Sequence, residues 1–393
     1  MGISVCMLIK NEEAQLGDCL ECVYDLSDEI IIVDNGSTDN TISIANSYKC
    51  RVISCPDLVL DKGRNEYIKA AKEDWILVVD ADERLDKRGR ECIKEAVANA
   101  PDDVYSFLLP RYDYLGNGRW SMITMLRLFR NIEGIFYNDL SVHASPGPSI
   151  RALGGRTSYV NAPLHHLDNL MLKGRALCKR ERYTELIKKE IVEHKGSKSL
   201  YLLHSLLGTE YSCVGRYDDA MKEYEKAKEI DYDFIPLAQI YIAQNYLLQN
   251  DYENTIKNAE ILIGNGGVLE ERAYTLLAEI EARRGDYAKA RIFCENALRS
   301  NENATHHLIN IASLSLQNDP ELAINYIEKA LTQNSYLLND IIYKKGDRPN
   351  PFEQQISFLS TTNNIFKIMK DSYRQMGNRQ KYDEWVTLEK KIL

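Results

Sequence analysis

Over the first 110 residues, short apolar runs alternate with stretches whose apolar residues recur at helical spacing. ISVCMLI (Ile3–Ile9) precedes Leu16, Cys19, Leu20 and Val23, which share one helix face. EIIIVD (Glu29–Asp34) precedes STDNTISIANSY, where Ser37 or Thr38 is the expected N-cap. CRVIS (50–54) precedes KGRNEYIKAAKE, and WILVVD (75–80) closes the series. Strands that read as unbroken apolar runs are buried on both faces, the mark of a parallel sheet under helices. The strand–helix alternation predicts an open, mostly parallel, Rossmann-like α/β sheet. From 104 to 160 the pattern changes to short strands with turns (VYSFLLP, MLRLFR, GIFYNDLSVHA), read as an antiparallel extension of the sheet edge.

Beyond PLHHLDNL the pattern is helical almost throughout, and it repeats. GRYDDAMKEYEKA, NDYENTIKNAEIL, GDYAKARIFCENA and NDPELAINYIEKA align, with Tyr217, Tyr252 and Tyr287 spaced by 35 and Pro320 a further 33 along. Ala220, Ala290 and Ala323 hold equivalent places, as do Ala227, Ala297 and Ala330. A period near 34 with small residues where helices cross is the tetratricopeptide signature. Each helix pair leaves a face that only its neighbour can cover, so the units stack. The expected layout is an α/β domain over 1–170, a basic linking helix over 171–198, and an all-α solenoid of repeats over 199–393.

With 44% hydrophobic and 27% charged residues in 393, the chain has the composition of a packed protein and not of a disordered one. A net charge of −9 argues against a broad nucleic-acid footprint. No stretch approaches the roughly 20 apolar residues that cross a bilayer. The N-terminus lacks a charged leader and cleavage site, so the expected location is the cytoplasm. Nine scattered cysteines suit free thiols in a reducing compartment better than a disulfide framework.

In an open parallel sheet, ligands bind at the carboxyl ends of the strands. Lys10, Asn11 and Glu12 stand there after the first strand, Asp34 after the second, and Asp80, Ala81 and Asp82 after the fourth. Alternation puts Asp80 and Asp82 on one side. Two carboxylates that close raise each other's pKa unless a cation neutralises them, and hard oxygen ligands suit Mg2+ or Mn2+. The competing reading of DADE is a solvated turn.

SVCMLIKNEE, IIIVDNGSTDNT, GRNEYIKAA and WILVVDADE together resemble family-two glycosyltransferases of the GT-A fold. The resemblance covers residues 1–170, and the chain is most similar to members with a C-terminal tetratricopeptide region, such as bacterial peptide S-glycosyltransferases. It implies that Asp34 binds the base or ribose of a UDP-sugar and that Arg64 touches the nucleotide. It implies further that Lys10, Asn11 and Glu12 line the pocket, that Asp80 and Ala81 lie near the ribose, and that Asp80 and Asp82 hold Mn2+ or Mg2+. FYNDLSVHASPG resembles an F-x-x-x-V-H-E stretch and places His143 on the acceptor side, but Ala144 replaces its glutamate. In LHHLDN, His165 or His166 completes the metal shell. Arg175, with Lys179, Arg180 and Arg182, is either a basic segment that closes on the diphosphate or a solvated helix face. The base that takes the acceptor proton is left among Asp113, Asp139 and His143.

The function these features imply is a metal-dependent inverting transfer from a UDP-sugar to a peptide or protein side chain, through Ser, Thr or Cys. The peptide acceptor rests on the solenoid, whose concave face suits extended peptides; the same surface would serve a homodimer. A transferase building cell-envelope or surface polysaccharide is the alternative enzyme. A catalytically inactive repeat scaffold is the alternative of another class.

Overall fold

The computed structural model describes residues 1–56, 60–141, 144–171, 175–194, 200–231, 235–345 and 362–393. The chain divides into two units, one of Met1–Asp113 with Met122–Asp168, the other of Tyr114–Ser121 with Asn169–Leu393.

The first unit is built on β1 (Ile3–Ile9), β2 (Glu29–Asp34), β3 (Arg51–Ser54) and β4 (Trp75–Val78). These pair in parallel in the order β3-β2-β1-β4. Helices α1 (Leu16–Val23), α2 (Thr41–Ser47) and α3 (Arg64–Ala70) fill the connections. Alternation divides each strand between two cores. Val5, Met7, Ile30, Ile32 and Leu77 pack on one face, and Cys6, Ile31, Val33, Ile76 and Val78 on the other. That double burial is why the strands read as unbroken apolar runs. Cys19 and Cys22 are free thiols on α1.

After β5 (Glu83–Leu85) and α4 (Lys87–Ala98), a long hairpin of β6 (Val104–Gly116) and β7 (Arg119–Arg130) follows. β7 joins β4 antiparallel, but the sheet does not continue as a purely antiparallel edge. β8 (Arg156–Tyr159) and β9 (Leu164–His166) both pair in parallel with β6, and β9 pairs antiparallel with β5. The result is a mixed nine-stranded sheet, parallel in its N-terminal half as expected.

Two local expectations fail. GIFYNDLSVHA is not a strand over its described residues. Side chains satisfy its backbone instead: Asn65 accepts from the Tyr137 N–H at 2.8 Å and donates to its carbonyl at 3.0 Å, and Ser149 does the same for Phe136. Neither Ser37 nor Thr38 caps α2. Both are engaged by Asn11, whose N–H donates to the Ser37 hydroxyl at 2.9 Å and whose amide oxygen accepts from the Thr38 N–H at 2.8 Å.

The second unit is helical beyond 169. It begins with α5 (Asp168–Met171, shared at its first residue with the sheet unit) and α6 (Arg175–Glu193), and a short helix over 147–152 lies earlier in the sheet unit. The repeats are α7 (Leu200–Cys213), α8 (Tyr217–Ile230), α9 (Ile235–Leu248), α10 (Tyr252–Glu260), α11 (Gly267–Arg284), α12 (Tyr287–Ser300), α13 (Thr305–Ser315) and α14 (Pro320–Gln333), closed by Thr362–Gln375 and Arg379–Ile392. The repeated alanines Ala220, Ala227, Ala290, Ala297, Ala323 and Ala330 are all fully buried. Asp251, Asp286 and Asp319 each cap the helix that follows, accepting a backbone N–H from three residues on. Gly208 is required by packing: a Cβ there would sit 2.6 Å from the Tyr224 ring.

Candidate active site

The strand ends are tied together by backbone-to-side-chain bonds. Asn11 adopts φ of 55°, and this turn lets the loop after β1 meet the loop after β2. The Glu12 N–H donates to Thr41 Oγ1 at 2.8 Å. The buried Asp34 carboxylate turns back to accept from the N–H groups of Gly36 and Ser37 at 3.1–3.2 Å. Lys10 is exposed beside this junction.

β4 stops at Val78, and the chain then turns tightly, with the Glu83 N–H donating to the Asp80 carbonyl at 2.9 Å. Strand alternation therefore does not carry through DADE, and Asp80 and Asp82 do not share one partner set. The Asp80 carboxylate meets Arg127 at 2.6 Å and Arg64 at 3.4 Å. Burial would push its pKa upward, but the Arg127 and Arg64 guanidinium groups outweigh this and hold it well below the usual carboxylate range. Arg127 also binds the fully buried Glu83 at 2.8 Å, and Arg84 fastens the turn by donating to the buried Ala81's carbonyl at 2.9 Å.

Asp82 has different neighbours. Its carboxylate lies 3.3 Å from His166 Nε2, and Asp82, His166 and Asp168 offer ligand atoms all within 4.8 Å of one another. The β6–β9 register sets Asp113 opposite His166, and the His166 Nδ1 lies 2.6 Å from the Asp113 carboxylate. Burial alone would lower the His166 pKa; the facing Asp82 and Asp113 carboxylates instead push it up to about 10. Arg111 completes the line, 3.0 Å from Asp113 and 3.8 Å from Glu83. Arg64, Asp80, Arg127, Glu83, Arg111, Asp113, His166 and Asp82 thus form one chain of charges alternating in sign. His165 points away, fully buried and stacked on Tyr112, with its pKa lowered by burial against the opposing pull of Asp86.

Of the anticipated residues, the structure brings Arg64, Asp80, Asp82, Asp113 and His166 into this line. Asp139 is 78% exposed and pairs with Lys62 at 3.3 Å. His143 lies outside the described residues, as does the side chain of Arg175 at the start of α6. Sequence reading missed Glu83, Arg84, Arg111, Arg127 and Asp168. Asp168 alone had a signal, a carboxylate two residues after the histidine doublet, although it opens α5 and does not extend β9.

The donor set, two carboxylates and one imidazole, fits a hard-to-borderline divalent cation, and the imidazole favours Mn2+ over Mg2+. Asp113 on the other nitrogen is the usual outer support of a ligating histidine. Among the described residues no helix is long and apolar enough to cross a membrane.

Residues 4–151 match the family model for glycosyl transferase family 2, and residues 203–234 and 271–303 match that for the tetratricopeptide repeat. The lipopolysaccharide core biosynthesis glycosyltransferase LpsC of Rhizobium meliloti (strain 1021) is 29% identical over 213 residues, 52% of this chain and 76% of LpsC. A glycosyltransferase of Rickettsia bellii (strain RML369-C) is 36% identical over 103 residues, 26% of this chain and only 35% of that protein's length. Among solved structures, glucosyl-3-phosphoglycerate synthase from Mycobacterium tuberculosis, in complex with Mn2+, UDP and phosphoglyceric acid, is similar with a TM-score of 0.31 and 15% identity, over 40% of this chain and 67% of that one.

Proposed function

We propose, from the premise that this chain carries an N-terminal glycosyltransferase family 2 domain and C-terminal tetratricopeptide repeats, that it transfers a sugar from a UDP-sugar to a peptide or protein side chain in the cytoplasm. The observation that carries the reading is the Asp82–His166–Asp168 cluster at the end of the parallel strands. These three residues would hold Mn2+, which when bound supplies Lewis-acid stabilisation of the leaving diphosphate.

The remaining roles belong to the chain's own groups. Arg64 and Arg127 neutralise Asp80 and fix its carboxylate, so that it orients a ribose hydroxyl as an acceptor. Asp34 holds the loop that receives the base. Asp113 positions His166 and stays ionised, because burial is overridden by Arg111 and His166. A carboxylate held that low is a weak proton acceptor, so the acceptor proton goes elsewhere.

The repeats support a peptide acceptor. A saccharide acceptor is the second reading, favoured by the likeness to LpsC over three quarters of that protein's length. A thermal-shift panel of nucleotide sugars with and without Mn2+ tests the donor: stabilisation by a UDP-sugar that depends on Mn2+ is expected. Preferential stabilisation by a non-uridine nucleotide would overturn it. With that donor, glycosylated peptide in a peptide-library incubation supports the first acceptor, and transfer to lipopolysaccharide-core oligosaccharide alone supports the second.

A further inference from the structure

A second convergence of ligand-type side chains lies in the repeats, among residues that sugar transfer does not use. Glu271 stands near the start of α11, and His306 and His307 stand in the first turn of α13. All three are buried. Nε2 of His306 lies 3.2 Å and Nε2 of His307 3.0 Å from the same Glu271 oxygen, Oε1. Thr275, one turn along α11, brings its hydroxyl to 2.9 Å from both Glu271 Oε1 and His307 Nε2.

Neighbouring residues on a helix point about 100° apart, which follows from 3.6 residues per turn. Here the two imidazoles converge, with ring centroids 4.0 Å apart. The His306 Nε2 is buried and makes no hydrogen bond, although Glu271 Oε1 is within reach. Hydrogen bonding alone therefore does not account for where that nitrogen points.

The geometry points to a Zn2+ site made by Nε2 of His306, Nε2 of His307 and a carboxylate oxygen of Glu271, linking α11 to α13. Zinc takes tetrahedral nitrogen and oxygen ligands at about 2.0–2.1 Å, so the ligand atoms are spaced at about 3.3 Å. The separations from Glu271 Oε1 and Thr275 Oγ1, 2.9–3.2 Å, need to open by only a few tenths of an ångström, and the ligand atoms of Glu271, His306 and His307 all lie within 4.8 Å of one another. Two imidazoles select zinc over magnesium or calcium. The fourth position falls to the Thr275 hydroxyl or to water. Trp120 sets its ring edge-on to His306 at 6.5 Å and shields that side. Because the ligands come from successive helix pairs, the ion would staple adjacent repeats.

The test uses the full chain carrying Asp82→Ala and Asp168→Ala, which removes the ligands at the sheet. This protein is incubated with zinc chloride, dialysed into metal-free buffer and assayed for bound zinc and melting temperature. One zinc retained per chain and a raised melting temperature are expected, with cobalt giving the strong visible absorption of tetrahedral coordination. Adding Glu271→Gln or His307→Gln, which preserve size and hydrogen bonding, should bring retained zinc close to zero. A folded parent chain that retains no zinc, or zinc retention that survives both added substitutions, overturns the assignment and leaves a hydrogen-bonded knot between the two helices.

Discussion

The polar groups at the strand ends and the caps of the repeat helices find their partners over very different distances in the chain. In the sheet, the charges that gather at the strand ends come from distant parts of the chain: Arg127 is 47 residues from Asp80 and 44 from Glu83. In the repeats, the caps are three residues from the groups they bind, and the alanines recur at the fixed period. Long-range charge compensation builds a site whose parts stand or fall together. Short-range repetition builds a surface whose parts act one by one.

The contrast is broken most strongly at Arg127. Arg127→Ala leaves Glu83 fully buried and Asp80 part-buried without their main counter-charge, and should cost about 3–5 kcal/mol. Urea denaturation measures the loss, and hydrogen exchange should show faster opening across β4, β6 and β7 together. A change confined to the Arg127 neighbourhood would show that the charge line does not act as a unit.

Gly208→Ala is the matching break in the repeats. The Cβ would meet the Tyr224 ring, and overpacking of this kind costs about 1–3 kcal/mol. Hydrogen exchange should rise in α7 and α8 and stay unchanged in the sheet strands.

Asp80→Asn has the smallest effect and sharpens the electrostatic half of the comparison. It should cost about 0.5–1.5 kcal/mol at neutral pH, the net worth of an ordinary hydrogen bond, because the amide oxygen can still accept from Arg127. The sign follows from a carboxyl held below its unfolded value of about 3.9: its stabilisation is present above that pH and is lost as pH falls toward the folded value. Stability against pH should therefore flatten on the acid side in Asp80→Asn and keep its wild-type slope between about pH 5 and 8.

The same division decides what the sequence made legible. Unbroken apolar runs announced β1, β2 and β4, because double burial leaves a mark on each residue. The repeats were legible because their period and their small residues are local. The strand ends were legible as places, which is how Asp34, Asp80 and Asp82 came to attention, whereas Arg64 was reached only through the family resemblance. The partners of those residues were not. Arg111 and Arg127 lie on β6 and β7, whose register has no local signature, so the Arg127 guanidinium that meets Asp80 went unread. GIFYNDLSVHA has the apolar content of a strand, but Asn65 and Ser149 supply its hydrogen bonds, and nothing near it in the chain indicates that.

The central claim is that the divalent ion belongs to Asp82, His166 and Asp168, and that Asp80 is held by arginines. Manganese titration followed by electron paramagnetic resonance tests it most directly, on wild type, Asp168→Ala and Asp80→Asn. The account predicts that Asp168→Ala loses at least about 100-fold in Mn2+ affinity, the upper end of what even an outer-shell partner costs, while Asp80→Asn binds close to wild type. Tight binding by Asp168→Ala together with loss in Asp80→Asn would contradict it.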